Sequence, residues 1–159
     1  MSRQTRIALV GASGLIGTSL IRLAVERTDI RIIAIARREL TLPKGARMEV
    51  LVADPENWAD AIAAANAKVL VSALGTTWKK AGKDEAAFRA VDQDLVVACG
   101  RAAKAANMRQ MIAVSSVGAD ASGKNFYLKV KGETEQQLGK LALPRLDVLR
   151  PGLLRGPRE

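Results

Sequence analysis

Ile7-Ala8-Leu9-Val10-Gly11-Ala12-Ser13-Gly14-Leu15-Ile16-Gly17 is the stretch that decides the fold. Four apolar residues make a strand. The strand then breaks into three glycines spaced three apart, and an amphipathic stretch follows. Gly11 permits a tight turn with dihedrals that other residues avoid. Gly14 lets the backbone come close to an anion, and Gly17 lets the new helix press on the strand. The first turn of that helix offers free N–H groups and a partial positive charge, which suit a pyrophosphate. Gly11, Ser13, Gly14, Leu15, Ile16 and Gly17 are therefore the expected seat of a dinucleotide's phosphates. Three glycines alone are a weak signal; a strand before them and a helix after them supply the context that gives it weight.

Outward from this turn, strands and helices alternate. Residues 5–10 are a first strand, and 14–27 a helix with Leu15, Leu20, Leu23 and Ala24 on its apolar face. Residues 30–36, Ile-Arg-Ile-Ile-Ala-Ile-Ala, are β-branched and nearly continuously apolar, as in a strand buried on both faces. Further strands are expected at 48–52, 68–73, 110–114 and 146–149. Helices are expected from Asp54-Pro55-Glu56 onward, over 84–106 and over 125–140. Six strands with helical crossovers give an α/β fold with a doubly wound parallel sheet in the order 3-2-1-4-5-6. Ligands of such sheets lie at the carboxyl ends of the strands, beside the switch between the first and fourth. The glycine-rich and polar strand ends of this chain are all carboxyl ends.

Composition bounds the function. The chain has 159 residues, is 48% hydrophobic and 26% charged, and carries a net charge of +9. That length suits one domain. Its basic residues are scattered without aromatic interleaving, which argues against nucleic acid as the partner. No apolar window is long enough for a membrane-spanning helix. Histidine is absent, so His metal sites and His-based triads are excluded. The single cysteine, Cys99, forbids an internal disulfide and fits a reducing cytoplasm.

Several strand ends carry chemistry. Arg37 and Arg38 follow the second strand, about twenty residues beyond the glycine turn. An acidic residue there would accept bonds from the ribose hydroxyls, whereas Arg pairs with a 2′-phosphate. NADP(H) is thus favoured over NAD(H), with Glu39 the one counter-indication. Asp54 ends the third strand, where it either meets the adenine edge or caps the following helix. At Leu74-Gly75 the backbone can pass beside the cofactor. Tyr127 and Lys131 are four apart and share one helix face. A phenol titrates near 10, and a neighbouring ammonium favours its phenolate. Ser116, at the end of the fifth strand, could bind a substrate oxygen. Together the three could relay a proton while a nicotinamide exchanges hydride.

The glycine turn, Ser115-Ser116, Tyr127-x-x-x-Lys131 and Arg150-Pro151-Gly152 resemble the short-chain dehydrogenase/reductase superfamily in its atypical or extended branch. Leu74-Gly75-Thr76-Thr77, Val91-Asp92 and the residues from Ser115 to Asp120 sharpen this to the Tat-interactive-protein-like group. The resemblance implies a Rossmann fold that binds NADPH at the glycine turn, Arg37, Arg38 and Leu74-Gly75. It also implies Tyr127 as proton donor or acceptor, Lys131 as its partner and Ser116 as the site serine, with Leu154 near the nicotinamide end. Asp92 departs from the pattern, since many extended relatives have Asn there. The chain stops at Glu159, while such relatives run on for some tens of residues, so the C-terminal substrate part is expected to be missing or short. The expected activity is an NADPH-dependent oxidoreductase acting on a small carbonyl or alcohol. A non-catalytic NADP(H) sensor and an epimerase or dehydratase retaining its cofactor stay open, as do monomer and homodimer.

Overall fold

The computed structural model describes residues 4–77, 79–152 and 154. Six strands, β1 (Thr5–Val10), β2 (Ile30–Ala36), β3 (Glu49–Val52), β4 (Val69–Ser72), β5 (Gln110–Val114) and β6 (Leu146–Leu149), form one sheet. Its order is β3-β2-β1-β4-β5-β6, and all five pairings are parallel. This is the Rossmann-type doubly wound sheet expected from the sequence.

Alternation along the strands divides the core in two. Ala8, Val10, Ile33, Ile35, Leu70, Met111 and Ala113 face one side. There they meet α2 (Trp58–Ala64), α4 (Val96–Ala105) and α5 (Phe126–Gly139) through Trp58, Ile62, Val96, Cys99 and Leu138. Leu9, Ile32, Ala34 and Val71 face the other side, where α1 (Leu15–Val25) packs through Leu20, Ile21 and Ala24. Gly17, Leu20, Ile21 and Ala24 thus form the inward line of α1. Leu23, placed on that line by the sequence reading, is 70% exposed; counted from Gly17 it falls at i+6, off the i, i+3, i+4, i+7 stripe that Gly17, Leu20, Ile21 and Ala24 occupy.

The expected helix over 84–106 is three segments. Asp84 caps α3 (Glu85–Arg89) by accepting from the N–H groups of Ala86 and Ala87. A π-helical turn, Ala90–Leu95, then leads into α4. Asp54 does not act as a side-chain cap: its backbone carbonyl accepts from Asn57 N–H at 2.8 Å, while its carboxylate stays exposed before the 3₁₀ turn Pro55–Asn57. Trp58 anchors that corner instead, donating from Nε1 to Ala53 O at 2.9 Å.

Candidate functional site

Parallel pairing puts the carboxyl ends of all six strands on one edge. Gly11 has φ +82°, and a β-carbon on it would stand 2.3 Å from the Ala73 carbonyl carbon and 2.5 Å from Leu74 N. The turn after β1 therefore lies directly on the exit of β4, at the switch point. Gly17 is equally constrained, since its β-carbon would reach 2.1 Å from Gly11 O. Gly14 differs: a β-carbon there meets only Gly11 O, at 3.7 Å. The protein itself gives no packing reason for this glycine, and the space beside it is open.

Gly14 is the N-cap of α1, with no side-chain cap and no acidic residue in the first turn. Among the described residues, no acceptor meets the N–H groups of Leu15, Ile16 and Gly17. Ser13 is exposed beside them. A helix end with unsatisfied donors, no compensating carboxylate and open space attracts anions. Arg37 and Arg38, after β2, are both exposed and make no ion pair among the described residues.

The far side of the edge is organised by α5. Asn125 caps it by accepting from Leu128 N–H at 3.0 Å. Tyr127 follows in the first turn and remains 38% exposed. Its ring packs on buried Phe88 of α3, with centroids 5.4 Å apart, and Lys131 Nζ stands 5.5 Å from its centroid. Tyr127 and Lys131 are therefore brought together as the i, i+4 spacing requires. Ser116 lies just beyond β5, and its Oγ donates to Val117 O at 3.2 Å. The loop carrying it is tied to α5 by Asp120 N–H donating to Leu128 O at 3.0 Å. Gly132 makes room for this contact, because a β-carbon there would stand 2.2 Å from Ala121 N. Leu74 packs against the core, and Leu154 is half-buried in irregular backbone.

Gly132→Ala is expected to lose about 3 kcal/mol of stability. A helical Gly→Ala change gains about 1 kcal/mol from propensity, but a backbone-to-backbone clash outweighs that. Thermal melting checks it; an unchanged or raised midpoint contradicts the packing account.

Lys131 has a second partner that the sequence reading did not find. Its Nζ lies 2.8 Å from Asp92 Oδ2, with the carboxylate fully buried and the lysine side chain 7% exposed. Asp92 Oδ1 accepts from Thr76 N–H at 2.8 Å. Gly75 lies immediately over the pair: its β-carbon would be 3.8 Å from Asp92 Oδ2 and 3.9 Å from Lys131 Nζ. Burial pushes the Asp92 carboxyl up, and the Lys131 ammonium and the Thr76 N–H offset this only in part. A carboxyl raised in the fold binds its proton more tightly there than in the open chain, so this group's contribution to stability is lost as pH rises through that raised value. A sequence signal did exist: Phe88, Asp92, Val96 and Cys99 fall at i, i+4, i+8 and i+11, which sets Asp92 in the buried stripe.

A smaller network flanks the pair. Glu135 on α5 accepts from Arg150 Nε at 2.8 Å and from Ser115 Oγ at 3.1 Å. Arg89 donates to Gln93 at 2.6 Å and binds Glu133, joining α3 and the π turn to α5. No group of residues suited to a metal ion occurs among the described residues, and no helix among them is long and apolar enough to cross a membrane.

A family model described as NAD(P)H-binding matches residues 11–146. The chain belongs to this NAD(P)H-binding family. Among its relatives, "Protein FMP52, mitochondrial" of Meyerozyma guilliermondii is 35% identical over 156 residues, spanning 97% of this chain and 67% of the relative. The protein of the same name from Eremothecium gossypii is 37% identical over 153 residues, spanning 95% and 67%. Among solved structures, a nucleoside-diphosphate-sugar epimerase from Agrobacterium tumefaciens superposes with a TM-score of 0.80 at 16% identity, over 99% of this chain and 55% of that one. A putative NAD-dependent epimerase/dehydratase from Bacillus halodurans gives 0.78 at 23%, over 97% and 73%. WbmG of Bordetella bronchiseptica, solved with NAD, gives 0.74 at 18%, over 92% and 53%. The chain thus spans about two thirds of those fungal relatives and about half of several of the solved enzymes. Its fold is the one that these solved structures share.

The expectation of a cytoplasmic setting is overturned by these relatives, which carry "mitochondrial" in their names across several fungi. The inference from cysteine count was too coarse. Cys99 is a buried core residue whose thiol is pushed up to about 12 by burial, so its presence reports on packing and not on compartment.

Proposed function

We propose that the chain is an NADPH-dependent oxidoreductase acting on a small carbonyl or alcohol, with Tyr127 exchanging the proton, Lys131 supporting it and Ser116 binding the substrate oxygen. The observation that carries this reading is the set at the start of α5. Tyr127 is partly exposed, a lysine ammonium lies 5.5 Å from its ring, and that ammonium lies under Gly75 at the exit of β4. The bound coenzyme would supply the hydride. The diphosphate would rest on the N–H groups of Leu15, Ile16 and Gly17, with Gly11, Ser13 and Gly14 forming the turn around it. Asp54 would meet the adenine side, while Leu74, Gly75 and Leu154 would flank the nicotinamide side.

Arg37 and Arg38 support the preference for NADP(H), since two exposed guanidinium groups without carboxylate partners among the described residues can fork onto a 2′-phosphate. The double change Arg37→Ala and Arg38→Ala is expected to weaken NADPH at least tenfold, about 1.4 kcal/mol, and NADH less than threefold. Titration by coenzyme fluorescence reads both. Equal losses for the two coenzymes would remove the 2′-phosphate assignment.

The catalytic assignment is tested by NADPH consumption against a panel of aldehydes and ketones. Tyr127→Phe should cut turnover by about 10²–10⁴-fold, the range for losing a general acid, with NADPH affinity within a few-fold of wild type. Full activity in that variant refutes the assignment. The names of the fungal relatives support mitochondria as the setting in which to look for substrates.

A further inference from the structure

We propose that Asp92 is a positioning residue of this site: its buried carboxylate keeps the Lys131 ammonium charged and holds it between the Gly75 backbone and the Tyr127 ring. Its use in chemistry rests on the oxidoreductase reading; the interaction itself rests on geometry.

Three segments converge on Asp92. The exit of β4 donates Thr76 N–H to Oδ1 at 2.8 Å. Helix α5 brings Lys131 Nζ to 2.8 Å from Oδ2, and one turn later Thr134 Oγ1 donates to the Asp92 carbonyl at 3.2 Å. The third is the π turn that bears Asp92 itself. Removing both charges from water is unfavourable, and apolar residues of similar size fill such sites at no greater cost in other proteins. A π turn is likewise a rare departure from helix geometry, met most often at functional sites. Two unfavourable features coincide under the Gly75 backbone, which on the oxidoreductase reading flanks the coenzyme. Packing alone does not account for that.

What Asp92 supplies is compensation. A lysine side chain only 7% exposed is discharged by desolvation unless an anion offsets it. The other groups around Lys131 do not provide that offset. Tyr127, on the same helix, presents its ring. Glu135 lines the same small cavity but is held by Arg150 and Ser115, and Glu133 is held by Arg89. The exit of β4 offers backbone at Gly75 and Thr76, and β5 leads only to the Ser115 hydroxyl in that cavity. Among the described residues, Asp92 is the remaining anion.

The test uses the full chain labelled with ¹³C-lysine and no coenzyme. Lys131→Met identifies the Lys131 resonance by its disappearance. In wild type this resonance should show an acidic inflection as Asp92 titrates, above the ordinary aspartate range. In Asp92→Asn the alkaline midpoint of Lys131 should fall by at least one pH unit, a tenfold loss of proton affinity. Lys131 lies under Gly75, which on the oxidoreductase reading flanks the coenzyme, so its charge also acts on NADPH: affinity should fall with rising pH at least tenfold more in Asp92→Asn than in wild type. An unmoved Lys131 midpoint overturns the proposal, and so does equal weakening of NADPH at every pH, which marks a merely structural residue. Should Asp92→Asn fail to fold, absence of the acidic inflection in wild type overturns it. If wild type binds no NADPH, the oxidoreductase reading fails, while the Lys131 titration still decides this inference.

Discussion

Gly14→Asp is expected to abolish measurable coenzyme binding, at least a hundredfold loss, while leaving the protein as stable as wild type or about 0.5 kcal/mol more stable. The opposite signs follow from one position. A β-carbon at Gly14 meets only Gly11 O at 3.7 Å, so the fold accommodates a side chain there. Gly14 is also the N-cap of a helix without a side-chain cap or a first-turn acid. A carboxylate at that position would accept from the free N–H groups and compensate the helix dipole. It would also occupy the place, and repeat the charge, of the diphosphate. Thermal melting and NADPH titration of one variant read both effects. Loss of stability together with binding would mean that Gly14 is kept for packing, and retained binding would move the phosphates elsewhere.

The second large effect concerns stability at the far side of the edge. Lys131→Met should cost about 3–5 kcal/mol, because it leaves the Asp92 carboxylate buried without its cation. Asp92→Leu combined with Lys131→Met should recover most of that loss, since neither charge is then removed from water. Chemical denaturation of the three proteins gives the values. If the double variant is no more stable than Lys131→Met, the pair is a net stabiliser of the fold, and the view that it is retained for the site's chemistry loses its support.

Particular residues explain how much of this was legible beforehand. The central strands were plain because burial on both faces removes alternation: 30–36 and 110–114 are read directly as apolar runs and match Ile30–Ala36 and Gln110–Val114. The glycine turn was equally clear, because Gly11 and Gly17 answer to backbone contacts that no other residue tolerates. The segment 84–106 was only half legible. A π turn adds a residue without disturbing the helical composition, so periodicity reports one helix where there are α3, the π turn and α4. The pairing of Tyr127 with Lys131 follows from spacing, yet spacing is blind to a partner thirty-nine positions upstream, and in the sequence Asp92 stands out only as a departure from Asn. Gly132 gave no signal either: its close approach to Ala121 depends on how the loop after β5 returns to α5.

The central claim is that the turn after β1 and the first turn of α1 hold the coenzyme's diphosphate. Amide NMR during NADPH titration tests it most directly. The account predicts that the N–H signals of Gly14, Leu15, Ile16 and Gly17 shift first and saturate together with the fluorescence change. Saturable binding that leaves those four signals unmoved would contradict it.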